Sequence, residues 1–372
     1  MVVPDAEHLA RIRLLRSERI GPISFAQLIQ RFGTALAAIE ALPELVERAG
    51  GRALRIASPA QAEAEVRRVA AAGARYLFSD DGDYPALLAH IDNAPPVLTV
   101  RGHTELLRRP AIAMVGARNA SAAACRLARQ LAGELVEAGY LVVSGLARGI
   151  DTAAHEGALR ITSSGPAPTA GVIASGIDIC YPPENARLQA DMGERGLVIA
   201  EQPPGTEPLA RHFPYRNRII AGMAIGTLVV EAAPRSGSLI TARLAAEAGR
   251  DVMAIPGSPL DSRSRGCNEL IRGGATLVQG VADILELVAP FAGSQPHRVA
   301  APSQPYLPER LSQEPDDAAR RELFGLLGSS PVGIDELVRQ SGLDSGAVQM
   351  ILLDLELAGL IERHAAGRVS LV

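Results

Sequence analysis

The chain has 372 residues, 47% of them hydrophobic and 21% charged, with a formal net charge of −4. That length suits about two or three domains with a sizeable core. The acidic balance argues against a protein that coats nucleic acid indiscriminately, and leaves room for a local basic groove. All 37 basic side chains are arginine, which excludes a P-loop and a pyridoxal Schiff base, since both need lysine. Any anion held by a side-chain cation is therefore held by arginine, whose planar fork grips phosphate bidentately and stacks on bases. Cys125, Cys180 and Cys267 are too few and too far apart for a disulfide framework or a metal cage. The histidines form no HExxH pattern, and neither metal nor cofactor is expected. No apolar run approaches the roughly 20 residues that span a bilayer. Charges interrupt MVVPDAEHLARIRLLR where a signal peptide needs its apolar stretch, so the sequence reads as cytoplasmic.

Residues 1–74 read as a small helical module of helix-hairpin-helix (SAM-like) type. In RIGPISFAQLIQRFG a Gly-Pro turn precedes Phe25, Leu28, Ile29 and Phe32 at helical spacing, and Gly33 supplies a stop. Such a hairpin either holds a DNA backbone through turn amides or serves only as a packing module, and the sequence leaves both open. Residues 76–102 form a turn-rich connection ending in a short strand, PVLTV. A regular alternation follows. AIAMVG (111–116), YLVVSG (140–145), APTAGVIASG (167–176), GLVIAEQ (196–202), GTLVVEAA (226–233) and RDVMAIPG (250–257) are predicted strands. Helices are predicted over 120–139, 150–159, around 184–193, from 217 onward and over 238–249. Short β-branched runs separated by amphipathic helices predict an α/β, doubly wound parallel sheet over residues 75–289.

Residues 290–315 are rich in Pro, Ser and Gln and read as a linker. Residues 316–372 read as three helices and a two-stranded wing, a winged helix-turn-helix. The recognition helix, SGAVQMILLDLELAG, carries no cation, and this segment has nine acidic side chains against five arginines. Major-groove readers present Arg, Lys, Asn or Gln and neutralise phosphates at the rim. Strong duplex binding by this domain is not expected, and a protein-binding role is.

In an open parallel sheet, ligands bind beyond the C-terminal ends of the strands. The loops there include VGARNAS, SGLARGIDTAAH, ASGIDICYPPEN, EQPPGTEPLARHFPYRNR and EAAPRSGSLITA. Glycine after a strand lets backbone amides approach an anion, and the next helix N-terminus adds partial positive charge. With Arg118, Arg148, Arg211, Arg216, Arg218 and Arg235 nearby, the set favours an extended polyanion over a single phosphate. VGARNAS lacks GxGxxG, which argues against a dinucleotide, and no GxSxG elbow accompanies Ser144 and His155. His155 is expected to pack or cap locally and Asp151 to cap its helix. Asp178 and Glu201 either hold arginines in place or act as a catalytic pair, and nothing in the sequence pairs them.

Taken together, VGAR, SGLARGIDTAAH, GIDICYPPEN, EQPPGTEP…HFPYRNRIIAG, EAAPRSGSLITARLAAEAGRDVMAIPG and GCNELIRGGA resemble the DNA-processing protein A (DprA/Smf) family, from about residue 76 to 285. The resemblance implies an extended Rossmann-like domain that binds single-stranded DNA. It also implies protection of incoming strands, loading of a RecA-type recombinase during natural transformation, a homodimer through the Rossmann-like domain, and no catalytic activity. Gly116-Ala117-Arg118 stands where the family has Gly-Ser/Thr-Arg, so the hydroxyl is missing here. The DNA-binding positions that carry over are Gly116, Arg118, Ser144, Gly145, Arg216, Asn217, Arg218, Ser236, Gly237 and Ser238, with Arg211 as the upstream cation. Arg216 and Arg218, two residues apart, cannot point at one spot, so one is expected to face the pocket and the other to brace Glu201 or Glu231. Asn217 either caps the helix or meets a base edge. Phe213 and Tyr215 are candidate stacking platforms, with core packing the alternative for Phe213.

Two other functions compete. A Rossmann-like hydrolase that cleaves nucleoside monophosphates would carry a catalytic acid in its Gly-rich loop, and PRSGSLITA has none. A winged-helix regulator with a ligand-sensing domain would need a recognition helix that reads duplex.

Overall fold

The computed structural model describes residues 5–161, 165–292, 315–364 and 367–372. The linker expected over 290–315 lies, from 293 to 314, outside the described residues. The chain divides into two compact units, one of residues Glu65–His297, the other of Met1–Ala64 with Arg298–Val372.

In the first unit, nine strands among the described residues form one sheet. They are β1 (Arg75–Phe78), β2 (Val97–Gly102), β3 (Ala111–Gly116), β4 (Leu141–Ser144), β5 (Thr169–Gly176), β6 (Leu197–Gln202), β7 (Gly226–Val230), β8 (Asp251–Ala254) and β9 (Thr276–Leu277). Their order is β1-β2-β6-β5-β4-β3-β7-β8-β9. From β6 to β9 all neighbours run parallel, whereas β2 joins β6, and β1 joins β2, antiparallel. The fold is the expected doubly wound α/β sheet with an antiparallel edge. The connection over 76–102 thus contains an edge strand, β1, which four residues are too few to declare by periodicity.

Strands β3, β4, β5 and β7 are buried almost throughout, because helices cover both faces. Met114, Val142 and Leu228 pack beneath Ala122–Glu137 and Ile150–Arg160 on one side. Val115, Val143, Val172 and Ile199 pack on the other, with Ile219 and Met223 of the His212–Met223 helix. The chain winds from β3 to β6 in one direction, then returns so that β7 lies beside β3. The strand order reverses at β3/β7, which is where a crevice opens in such sheets.

The second unit holds the helices Ala6–Leu15, Pro22–Phe32 and Ala35–Arg48, and the winged helix. Pro22 starts its helix and Gly33, at φ +79°, ends it, with Phe25 and Leu28 buried as the spacing predicts. The winged helix comprises Asp317–Gly325, Ile334–Ser341, Ser345–Ala358 and a hairpin of Ile361–His364 with Arg368–Leu371. The sequence reading keeps the two ends of the chain apart, yet here they share a core. Leu353 and Leu357 of the recognition helix pack with Leu14, Leu28 and Leu42. Arg31 and Arg320 both pair with the carboxylate of Asp354, at 3.1 and 2.8 Å. Gln27 bonds Gln349, and Arg19 donates to the carbonyl of Leu357.

Candidate nucleic-acid interface

The crevice at β3/β7 is built from loop backbone first. Ser121 caps the helix after β3, and Glu231 after β7 accepts from its amide and hydroxyl at 2.8 and 2.6 Å. This ties the two loops that flank the crevice. Leu146, Glu231 and Arg235 adopt positive φ (53°, 56° and 64°) without being glycine. Such strain persists only where surroundings enforce it and clusters at functional sites. Ser236 caps Gly237–Glu247, accepting from the Ser238 amide while the two hydroxyls lie 2.7 Å apart. That helix N-terminus carries partial positive charge into the crevice.

A cavity of about 270 Å³ results. Gly116, Arg118, Phe213, Arg216, Asn217, Ser236, Gly237 and Ser238 all line it, as does Asp151. Arg118 is exposed, and its guanidinium lies 5.0 Å from the Phe213 ring centroid; that of Arg216 lies at 5.7 Å. Phe213 is therefore a wall of the site rather than part of a core. A second, narrower slot lies beyond it, lined by Arg118, Gly145, Arg148, Tyr181, Phe213 and Arg216 among others.

Arg216 is buried and heavily committed. Its Nη1 donates to the carbonyls of Gly145 and, at 2.8 Å, Val172, and its Nε to Asn217 Oδ1 at 3.0 Å. Burial lowers its pKa to about 10, against the pull of Asp151. Asp151 lies in the first turn of a helix capped by Gly149, so it does not cap as expected. Its Oδ2 instead accepts from the amides of Gly145 and Ala147, at 3.1 and 3.3 Å, and holds the loop after β4. Burial pushes its carboxyl up, opposed by Arg216 and those amides. Gly145 has to be glycine, because a Cβ there would run into the Arg216 guanidinium and the Asp151 carboxylate.

Other expected positions fall elsewhere. The Ser144 side chain is fully buried and donates to the Met114 carbonyl at 2.5 Å, so its hydroxyl stitches β4 to β3 rather than facing a ligand. Arg218 pairs with Glu201 and lines neither cavity, which makes it the bracing member of the pair and Arg216 the pocket-facing one. Arg211 is exposed outside both linings, as is Tyr215. Asp178 accepts from the Gly205 amide at 2.8 Å instead of holding an arginine. The His212–Met223 helix begins five residues before the expected start at 217, because Pro214 is tolerated in a first turn. Asn217 consequently sits in the second turn and caps nothing. Sequence reasoning did not single out Tyr181, although an aromatic beside two prolines in a loop at the strand ends was a visible signal.

The chain is similar to known proteins along most of its length. The family model of DNA recombination-mediator protein A matches residues 75–289. Models of the DprA-like N-terminal HHH domain and of the DprA winged helix domain match residues 5–67 and 308–367. The DNA processing protein DprA of Streptococcus pneumoniae is 47% identical over 205 residues, 55% of this chain and 71% of that one. The X-ray structure of DprA from the same organism superposes with a TM-score of 0.63 at 35% identity, over 77% of this chain and 98% of that one. A Helicobacter pylori DprA structure, described as giving insights into its single-stranded DNA binding mode, superposes with a TM-score of 0.52 at 26% identity, over 58% of this chain and 97% of that one. With three successive models matched in order, the chain belongs to the DNA recombination-mediator protein A (DprA/Smf) family.

Proposed function

We propose that this chain binds single-stranded DNA in the β3/β7 crevice and acts as a recombination mediator. In this reading it protects incoming strands and loads a RecA-type recombinase during natural transformation, in the cytoplasm. It works as a homodimer through the Rossmann-like domain, and it carries out no catalytic step. The observation that carries the reading is the cavity itself. An exposed arginine lies over an aromatic ring, facing a helix N-terminus with a Ser-Gly-Ser turn. Phosphate suits the turn and the guanidinium, and an unstacked base suits the ring. The H. pylori relative, named for its single-stranded DNA binding mode, supports the same choice of ligand. The hydrolase alternative draws little support from the lining, since Asp151 spends its Oδ2 on two amides beside Arg216.

The test is fluorescent oligo-dT against a matched duplex over a series of salt concentrations. Wild type is expected to prefer the single strand with a clear salt slope. Arg118→Ala, whose side chain is exposed, is expected to bind roughly tenfold more weakly, with a slope smaller by about 0.7, as one phosphate goes without its cation. No strand preference, or an unaffected variant, would refute the assignment. Light scattering checks the dimer. Recombinase loading is read as faster nucleation of a RecA-type filament on the bound strand.

A further inference from the structure

We propose that Tyr181 is a base-stacking platform that extends the single-strand site beyond Phe213 and helps it reject duplex; this rests on the function proposed above. Phe213, Arg118 and Arg216 line both the crevice and the neighbouring slot, so the two are continuous across that wall. Tyr181 stands on the far side, its ring centroid 6.1 Å from that of Phe213 and tilted 59° to it. The residue is 40% exposed, although the chain has only six tyrosines, six phenylalanines and no tryptophan. The slot itself, about 20 Å³, has room for roughly a water molecule. A base therefore cannot enter it and lies over its rim, beside the exposed Tyr181. Arg118, Arg148 and Arg216 share the lining, so a backbone running past the rim stays among cations. A strand with its phosphate at the Ser236–Ser238 turn thus passes Phe213 and places a neighbouring base on Tyr181. Bases in a duplex are already stacked on one another and present no free face, so the gain accrues to single strands alone.

Because the chain lacks tryptophan, Tyr181→Trp in the full-length protein creates a sole reporter at this position. Its emission is expected to be quenched by oligo-dT and left unchanged by an abasic oligomer of equal length. Tyr181→Ala is expected to weaken oligo-dT binding roughly tenfold with little effect on the abasic strand or the duplex, and Tyr181→Phe to restore it. Unquenched emission while oligo-dT still binds, or an equal loss on oligo-dT and abasic strands for Tyr181→Ala, would overturn the role of Tyr181. In both cases Arg118→Ala still reports on the crevice by itself. A wild type that binds no oligo-dT would overturn both proposals together.

Discussion

His155 has no exposed surface, and its Nδ1 lies 2.8 Å from the Thr169 hydroxyl. Burial, reinforced by Arg216, lowers its pKa from 6.5 to about 3. A depressed histidine is neutral when folded and charged when unfolded in acid, so its stability contribution is present above pH 6.5 and lost as pH falls toward 3. The protein should lose roughly 2 kcal/mol between pH 7 and pH 5 from this group. Urea midpoints at the two pH values check this: His155→Gln should flatten the dependence, and parallel curves for the two proteins would refute it. Arg216 behaves differently from Arg118. Arg216→Met strands the buried Asp151 and the Gly145 and Val172 carbonyls, and is expected to cost about 3–5 kcal/mol of stability. Arg118→Ala should weaken binding with the melting midpoint unchanged. DNA affinity alone cannot separate these two roles, and thermal denaturation beside it does. This division was only partly legible in the sequence. Loop position indicated Arg118, the aromatic ring indicated Phe213, and the family resemblance implied Ser236–Ser238. Whether Ser144 points outward or into the neighbouring strand depends on β4 lying beside β3, which no local pattern encodes.

At the scale of elements, the recognition helix Ser345–Ala358 is committed on two sides. Val348, Ile351, Leu352 and Leu355 face the winged-helix core, while Leu353 and Leu357 face the N-terminal helices. Its lack of cations, read from the sequence, now has a structural counterpart, because the helix is covered within its own unit. A duplex should show no shift attributable to this domain, and deleting its wing should leave duplex binding unchanged. Asp354, 1% exposed between Arg31 and Arg320, joins the two parts. Asp354→Ala leaves two nearly buried guanidiniums without their carboxylate and is expected to lower stability by about 3–5 kcal/mol in urea titrations. The pairing of Arg31 with Asp354 was invisible in sequence, since the two lie more than 300 residues apart. The repeated strand–helix alternation was legible because each period is local. The two-residue β9 and the early start at His212 were not, being set by the neighbouring strand and by proline tolerance in a first turn.

At the scale of the molecule, each unit owns its apolar clusters. Among the described residues, those of Glu65–His297 draw on no residue of the chain's ends, and those of the ends draw on none of the middle. A fragment of residues 65–297 is therefore expected to fold alone and to hold oligo-dT within about threefold of the full chain, as circular dichroism and the binding titration would show. The fragment 1–64 should not fold without the C-terminal segment. During synthesis this sets an order of events. Leu42 leaves the ribosome 311 residues before Leu353, roughly 15–60 s at roughly 5–20 residues per second. Throughout that interval the first helices carry an uncovered apolar stripe while the middle unit completes itself. The helix Ser345–Ala358 thus acts as a completion signal: a chain truncated before it is expected to have a finished crevice beside an uncovered apolar stripe on its first helices.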